Sequence, residues 1–457
     1  MACSSGMAAG GRQRWRGFML LHGISTAPLL MLLLSLPSKF GARSNLERQA
    51  GARLMPCFGC RTGFGRRTSA LAAHSHAAVD HAASVGSHEF RMQPRGVDVL
   101  EKPIRLPVWP VVNGLVFTIM DLLGLKSAAA WLEDKLGGRV APMSLDKERA
   151  DPFVLLVHHR HAFDAWDPVR PIFQAILGPE GFPAHPHRGF ETVTMTVQGG
   201  LRHRDSIGIK QTYGDGDVQW LTAGRGVLHE EFWWWKGPWP QRGECELYQL
   251  WLNLPAKRRM EQPSIQVLRN PQPLSVAPGV EVRRLGGGAV RPDFVGEAAP
   301  LLQQSGGAED EAEPNSVGLG ATRDDVALLR ATLAPGATYE LPLPAVATAL
   351  LYVRHGDVSV GTSGEMVPRH HLAYTRREGN GLVLKNAANA EEADVLILAG
   401  LPLRQPVVSS GTWVVGSELE LEKARRDFNM GMLGIPWDPS ISDEEWLSWT
   451  KNYGPRT

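Results

Sequence analysis

Two short pairs of potential metal ligands constrain this chain more than any other feature. His185 and His187 are separated by one residue, and so are His229 and Glu231 further along. On an extended strand, side chains alternate between the two faces, so both members of each pair point to the same side. If a sheet brings the strands together, three imidazoles and one carboxylate converge, which suits a divalent first-row transition metal. Two unrelated surface pairs are the alternative.

Composition indicates a β-rich protein without a strong bulk charge. The 457 residues are enough for two or three domains with buried cores. Lys and Arg number 48 against 47 Asp and Glu, so the charge balance gives no support for direct nucleic-acid contact. The 49 glycines and 33 prolines favour short strands joined by many turns.

Residues 1–90 are predicted to be a targeting extension without a folded domain. Three arginines precede an apolar run, Ala27 to Leu36, and an Arg-, Ser- and Ala-rich stretch follows it. This order is typical of a signal peptide followed by a transit-like segment, and the apolar run is too short to span a bilayer. We therefore predict delivery to a plastid and no transmembrane anchor in the mature protein. The secretory pathway and the cytoplasm are the alternatives.

Residues 91–150 are predicted to form a helical segment ahead of the first barrel. The apolar stretch from Val108 to Leu125 contains Asp121, and a helix is expected through Ala128 to Leu132. The interrupting charge favours an amphipathic element packed on the core over a membrane span. Contact with a membrane surface is the alternative.

A first β-unit is predicted over residues 151–262. Threonines at 192, 194 and 196 alternate with apolar residues, which indicates a strand, and Gly199-Gly200 indicates a hairpin turn. The cluster His158-His-Arg-His161 occupies both faces of a strand, which argues against a second metal site. The aromatic run Phe232 to Trp235, with Trp239, could form a wall for a planar substrate, a buried hinge or an oligomer contact.

A second β-unit is predicted over residues 263–410 and a helical tail over 411–457. Residues 286–325 form an acidic, Gly-rich insertion that is poor in apolar side chains and is expected to be disordered. The three histidines of the second unit do not form a recognisable ligand set. In the tail, Ser417 and Glu420 form a capping-box pattern, and Gly431 is expected to end the helix.

Both ligand pairs lie in longer motifs that resemble a known family. The stretch Phe182-Pro-x-His-Pro-His-Arg-Gly-Phe-Glu-Thr192 and the stretch Gln219-Trp-x-Thr-Ala-Gly-Arg-Gly-x-x-His229 closely resemble the pirin family, within the cupin superfamily. Leu250-Trp-x-Asn-Leu-Pro255 is also similar to pirins. The resemblance covers roughly Asp151 to Gly434, and it is weaker in the second unit.

The resemblance implies an all-β bicupin: two antiparallel jelly-roll barrels packed face to face, with a C-terminal helix and metal only in the first barrel. In pirins one metal, generally iron(II), is held by the residues that match His185, His187, His229 and Glu231. Generic cupins use a glutamate at the position of Glu191, but the alternation of His229 and Glu231 favours Glu231. Glu191 and Arg188 are then expected to support the ligands or to contact substrate.

The resemblance further implies a quercetinase-type dioxygenase that opens the ring of a flavonol or related phenolic compound with dioxygen, and Glu231 is the natural proton acceptor. A different class of function is a non-catalytic regulatory protein that binds protein partners in response to the redox state of its metal. A storage-type cupin with a vestigial site is disfavoured, because all four ligand positions are filled.

Overall fold

The structure, a computed structural model, describes residues 92–108, 119–120, 122–128, 138–163, 181–234, 243–288, 323 and 325–455. These residues form strands β1 (Val97–Glu101), β2 (Leu106–Val108), β3 (Gly138–Ser144), β4 (Phe153–Phe163), β5 (Gly181–His187), β6 (Phe190–Gln198), β7 (Gly200–Asp205), β8 (Lys210–Gly214), β9 (Val218–Thr222), β10 (Val227–Trp234), β11 (Gly243–Asn253), β12 (Ser264–Leu268), β13 (Leu274–Ala277), β14 (Val280–Gly287), β15 (Val326–Leu333), β16 (Thr338–Pro342), β17 (Thr348–His355), β18 (Val358–Val360), β19 (Glu365–Val367), β20 (Leu372–Thr375), β21 (Gly381–Lys385), β22 (Ala393–Gly400), β23 (Val408–Ser410) and β24 (Trp413–Val415). Two C-terminal helices follow, α1 (Glu418–Asn429) and α2 (Asp443–Tyr453).

The first barrel is built from two antiparallel sheets. One has the strand order β12-β9-β6-β11-β4-β3-β2, and the other has the order β5-β10-β7-β8. Strand β6 shows the alternation expected from its sequence. The Thr194 side chain faces the barrel interior, where it contacts Glu231, whereas Val193 and Met195 pack on the outer face. The metal-ligand candidates therefore lie on strands β5 and β10 of the smaller sheet.

The second barrel repeats this arrangement. Its larger sheet has the order β1-β20-β17-β22-β15-β14-β13, and its smaller sheet has the order β16-β21-β18-β19. Its interior is almost entirely aliphatic, and Val282, Leu351 and Ile397 there are fully buried. The inner faces of the two barrels thus differ in polarity: the first carries histidines, threonines and glutamate, and the second carries apolar side chains.

The two larger sheets pack against each other through their outer faces. The shared core combines Val193 and Leu250 of the first barrel with Leu328, Leu350 and Leu398 of the second. Burying each such side chain stabilises the fold by roughly 1.5–3 kcal/mol. The prediction of an all-β bicupin with face-to-face barrels and a C-terminal helix is confirmed.

The C-terminal segment covers the smaller sheet of the first barrel. The hairpin β23-β24 and helices α1 and α2 contribute Trp413, Leu421, Trp437 and Trp446 to a cluster that includes Leu228 of β10. Helix α1 begins at the predicted cap, since the Ser417 hydroxyl accepts a hydrogen bond from the Glu420 N–H. The Glu420 carboxylate accepts from the Gly416 N–H instead of closing the capping box.

Among its described residues, the segment predicted to be helical ahead of the first barrel is helical at 119–120, 122 and 126–128. Elsewhere it forms strands β1, β2 and β3, and the prediction is wrong there. Strands β2 and β3 extend the first barrel's larger sheet, and β1 extends the second barrel's. The predicted start of the second unit at Pro263 is also early, because β12 still pairs with β9. Both errors have one cause: short strands are defined by partners that lie far away in the sequence.

Strand β1 is anchored by a buried arginine just before it. Arg95 is fully buried, and its guanidinium donates hydrogen bonds to the carbonyl oxygens of Pro344, Ala347 and Gly379 in the second barrel. Val97 pairs with Thr375 of β20. The stretch that precedes the first barrel in sequence therefore completes the second barrel in space.

Several predicted features lie outside the described residues. They are the targeting extension, most of the 108–132 stretch, and the acidic insertion from 289 to 322. The predicted plastid address stays a prediction. Across the described ranges, no helix combines the length and the apolar character that crossing a bilayer requires.

Candidate metal centre

The two ligand pairs meet on neighbouring strands of the first barrel. Strand β10 pairs antiparallel with β5, which places His229 opposite His185 and Val227 opposite His187. The His185 and His187 Nε2 atoms are 3.2 Å apart, and the His229 ring centroid lies 4.4 Å and 4.8 Å from those of His185 and His187. The structure thus brings the three predicted histidines together.

Two backbone carbonyls determine which ring nitrogens face the cluster. The Nδ1–H of His185 donates to the Pro183 carbonyl oxygen at 2.9 Å, and that of His187 donates to the Thr412 carbonyl oxygen at 3.2 Å. A carbonyl oxygen only accepts, so in each neutral ring the lone pair lies on Nε2. Two such lone pairs at 3.2 Å repel each other unless a cation lies between them.

Burial keeps these imidazoles neutral. It lowers the pKa of His185 to about 4 and holds the pKa values of His187 and His229 well below the usual range. Metal ligation requires the neutral ring, so the site is ready to bind a cation at neutral pH without releasing protons from these groups. The His229 Nε2 atom is buried and has no hydrogen-bond partner among the described residues. An unsatisfied buried acceptor beside two others fits a metal site.

A fourth histidine, absent from the sequence-based prediction, supports the cluster from the other neighbouring strand. Strand β7 pairs with β10 and places His203 opposite Glu231 and Asp205 opposite His229. The His229 Nδ1 lies 3.4 Å from His203 Nδ1, and the His203 Nε2–H donates to Asp205 Oδ2 at 3.2 Å. Asp205 Oδ1 in turn accepts from the N–H groups of Ile207 and Ile209. A carboxylate thereby orients His203, which orients His229.

Replacing His203 with alanine is expected to weaken metal affinity by about 10–100-fold, because the support that fixes the orientation and tautomer of His229 is lost. Competition with a chromogenic chelator measures this affinity. His203→Gln, which keeps an acceptor and a donor, should recover part of it. Unchanged affinity in His203→Ala would contradict the supporting role, and complete loss of metal would make His203 itself a ligand.

Glu231 is the next inward-facing residue of β10, but its carboxylate is engaged in hydrogen bonds with other side chains of the barrel. Oε1 accepts from the Tyr213 hydroxyl at 2.7 Å and lies 3.5 Å from Thr194 Oγ1, and Oε2 accepts from Gln249 Nε2 at 3.2 Å. Its ligand atoms group with those of His203 and His229, whereas His185, His187 and His229 form the other group. His229 is common to both. Burial raises the pKa of Glu231, and its hydrogen bonds oppose that rise.

The expected role of Glu191 beside the imidazoles is corrected by the structure. Its carboxylate accepts a hydrogen bond from the Thr222 hydroxyl at 3.0 Å and lies 3.4 Å from Arg323 NH1. Because β6 alternates, Phe190 faces the site and packs on His187, and Glu191 faces the opposite side. Glu191 therefore links the first barrel to the segment that leads into β15.

Arg188 is also directed away from the cluster. It donates to the Arg225 carbonyl oxygen and pairs with Asp427 of helix α1 at 2.8 Å. Arg188 therefore contacts a carboxylate of the C-terminal segment. Glu230 points to the outer face and pairs there with the buried Arg204.

The histidine cluster on β4 is divided between two faces, as its sequence indicated. His158 faces the second barrel and contacts Glu246 and Tyr352. His159 and His161 face inward, where their rings lie 5.9 Å and 4.5 Å from that of Trp233. Trp233 therefore joins an inner aromatic group with Phe182, while Trp235 and Trp239 lie outside the described residues.

Comparisons with known proteins agree with this geometry. Residues 139–252 match the family model described as Pirin, and residues 328–434 match the model described as Pirin C-terminal cupin domain. Pirin-1 of Arabidopsis thaliana is 32% identical over 317 residues, which cover 68% of this chain and 94% of that protein. Human pirin is 32% identical over 261 residues, which cover 56% and 79%. A crystal structure of quercetin 2,3-dioxygenase from Acinetobacter baumannii superposes with a TM-score of 0.53 at 26% identity, covering 74% of this chain and 98% of that one.

Proposed function

The chain belongs to the pirin family, and we propose that it is a metal-dependent dioxygenase of the cupin type that opens the ring of a flavonol or related phenolic compound. One observation carries the proposal. Three neutral imidazoles converge through their Nε2 atoms in the first barrel, and the Nε2 of His229 has no other partner among the described residues. The solved quercetin 2,3-dioxygenase to which the chain is similar supports the choice of reaction.

The proposed ligands are His185, His187, His229 and Glu231, and the proposed metal is iron(II). Three imidazoles and one carboxylate form a donor set that suits such an ion. In this proposal Glu231 leaves its hydrogen bonds with Tyr213 and Gln249 or shares its carboxylate between them and the ion. When bound, the metal would supply Lewis acidity that lowers the pKa of a substrate hydroxyl and orients it.

Glu231 is the proposed proton acceptor. Its carboxylate is buried, and burial raises its pKa towards the range in which a general base is effective. The Tyr213 hydroxyl and the Gln249 amide donate to it, so they can hold the carboxylate in place before and after it takes a proton. A phenolic hydroxyl that approaches the histidine cluster would meet this carboxylate on the same face of β10.

The inner aromatic group offers a contact surface for a planar substrate. The ring of Phe182 lies 6.5 Å from that of His185, 5.8 Å from that of His159 and 6.4 Å from that of Trp233. Both nitrogens of His159 are buried without a hydrogen-bond partner among the described residues. Aromatic rings with a nearby polar atom favour flat phenolic molecules, which stack and donate hydrogen bonds.

Oxygen uptake tests the proposal directly. Protein purified without a histidine tag and reconstituted anaerobically with iron(II) should consume dioxygen when quercetin or a related flavonol is added. The flavonol absorbance should decrease in parallel, and the metal-free protein is the control. Iron-loaded protein that consumes no dioxygen with any flavonol tested would overturn the proposal. A pull-down whose partners depend on the oxidation state of the metal would then favour a regulatory binding protein.

A further inference from the structure

A second polar site lies where the two barrels meet, on the opposite face of β4 from the inner aromatic group. It is a cavity of about 250 Å³. The first barrel and the second barrel both contribute to its wall, which consists of Arg160, Glu244, Glu246, Arg354, His355, Arg369 and His370. Strand β4 separates the two regions, because His159 and His161 point inward whereas His158 and Arg160 point towards the cavity.

Part of the cavity wall belongs to a network of paired charges, which also includes Arg330, paired with Asp394 at 2.6 Å. Arg354 donates to both oxygens of Glu246, at 2.9 Å and 2.7 Å, and to Asp394 at 2.9 Å. His158 lies 2.8 Å from Glu246. Burial alone would raise the pKa of Glu246, but these hydrogen bonds hold that pKa below its usual range. The carboxylate therefore stays ionised. The negative charge of Glu246 is therefore compensated by Arg354 within the cavity wall, and it does not neutralise the arginines at the rim.

The rim carries more positive than negative charge. Arg160 pairs with Glu244 at 3.3 Å, but these side chains are 46% and 41% exposed, so the pair contributes little. Arg369 adds a second guanidinium group to the rim, and that of Arg105 lies next to the rim residue His370. Of the carboxylates in the described part of the chain, only those of Glu244 and Glu246 line the cavity.

Two details indicate that the rim charges act on one another. The Nε of Arg105 is buried without an acceptor among the described residues, and its NH1 lies 3.3 Å from His370 Nδ1. Burial lowers the pKa of Arg105, and the nearby charges of Arg369 and Arg160 lower it further. Burial and the charges of Arg105 and Arg369 also lower the pKa of His370 to about 3. His370 is therefore neutral: its Nδ1 accepts from Arg105, which leaves Nε2–H as a further donor.

The turn that supplies two of these groups is held in an unusual backbone conformation. His370 has φ = 59°, in the left-handed region that non-glycine residues rarely adopt. The His370 N–H donates to the Val353 carbonyl oxygen at 2.6 Å, and the His371 N–H donates to that of Pro368 at 3.1 Å. This turn places Arg369 and His370 beside the first barrel's Arg160 and Glu244. Backbone strain of this kind often accompanies ligand contacts.

We propose that this cavity binds a small, multiply charged oxyanion, either inorganic phosphate or a compact tricarboxylate. Arg160 and Arg369 supply charge-assisted donors, and His370 supplies a neutral one. Arg105 contacts His370 and adds positive charge next to the cavity wall. The cavity volume admits a compact molecule and is too small for a polymer. The ligand would neutralise arginines that otherwise repel one another, and it would bridge the two barrels. This site is separate from the proposed metal centre and does not depend on it.

Isothermal titration calorimetry on the full chain, at low ionic strength, tests the assignment with phosphate and with propane-1,2,3-tricarboxylate as separate probes. At least one probe should bind with a 1:1 stoichiometry, and the probe that binds identifies the source of the oxyanion. Arg369→Gln should weaken that binding by about tenfold or more, because one charge-assisted contact is lost. Arg369 is exposed, so this variant should fold.

The matched control is Arg376→Gln, another exposed arginine of the second barrel, which pairs with Glu365 away from the cavity. It should bind the probe like the wild type, and metal content should be unchanged in both variants. If the heat came from chelation of bound metal by the probe, it would be the same for Arg369→Gln as for the wild type. The proposal is wrong if neither probe binds, if Arg369→Gln binds as tightly as the wild type, or if only a polyanion such as heparin binds.

Discussion

Replacing His229 with alanine is expected to reduce the metal content from about one equivalent by at least tenfold. Catalytic metal sites have few protein ligands, so the loss of one ligand removes a large part of the metal affinity. His229 is fully buried, it is common to both ligand groupings, and its Nε2 has no alternative partner among the described residues. No other side chain in the site has all three properties. Elemental analysis of protein purified without a histidine tag measures the effect.

His371→Ala is the matched control for this measurement. His371 lies in the second barrel, is half-buried, and donates through Nδ1 to the Arg369 carbonyl oxygen. Its removal should leave the metal content unchanged. Circular dichroism should show the same β-rich spectrum for both variants and for the metal-free wild type. A His229→Ala protein that retained one equivalent of metal would exclude His229 from the ligand set.

Glu231→Gln is expected to lower kcat for the proposed dioxygenation by about 10²–10⁴-fold, the usual contribution of a positioned general base. Glutamine has nearly the same shape but cannot accept the substrate's proton, and its NH₂ group would face one of the two donors, Tyr213 or Gln249. Steady-state oxygen uptake, normalised to bound metal, measures the change. Metal content measured on the same samples separates loss of the base from loss of a ligand.

The pH profile gives an independent readout of the same residue. Burial raises the pKa of Glu231 in the metal-free protein, and a protonated carboxyl can neither accept a proton nor ligate a metal. In the wild type, kcat per bound metal should therefore rise with pH at the acid end of the profile and then level off, and Glu231→Gln should lack that limb. Glu191→Gln is the control, because its carboxylate contacts Thr222 and Arg323. It should keep both the metal and the limb; loss of metal there would favour the generic cupin ligand set.

Alternation along strands explains how much of the centre could be predicted from the sequence. It was sufficient to place His185 and His187 on one face of their strand, and His229 and Glu231 on one face of theirs, because only local geometry was needed. It could also have shown that Glu191 faces away, since Thr194 on the same strand points inward and the two residues differ by an odd number of positions. The generic cupin pattern at Glu191 concealed that signal.

Non-local pairing explains what the sequence did not reveal. The role of His203 depends on β7 lying beside β10, which no spacing within either strand indicates. The alternating His203-x-Asp205 pair was a usable signal only once that neighbour was known. The arginines of the cavity between the barrels come from segments far apart in the chain, so their proximity is likewise a property of the tertiary fold.

The contacts that Arg95 and strand β1 make with the second barrel bear on the synthesis and the maturation of the chain. Strand β1 is made early, but its partner β20 emerges only after the whole first barrel, so this pairing is among the last that a nascent chain can form. If the predicted targeting extension is removed, we expect the cut to lie before Arg95, because otherwise the carbonyl oxygens of Pro344, Ala347 and Gly379 lose their donor. In that case the second barrel, far away in the sequence, would limit how much of the N-terminal part of the chain can be removed.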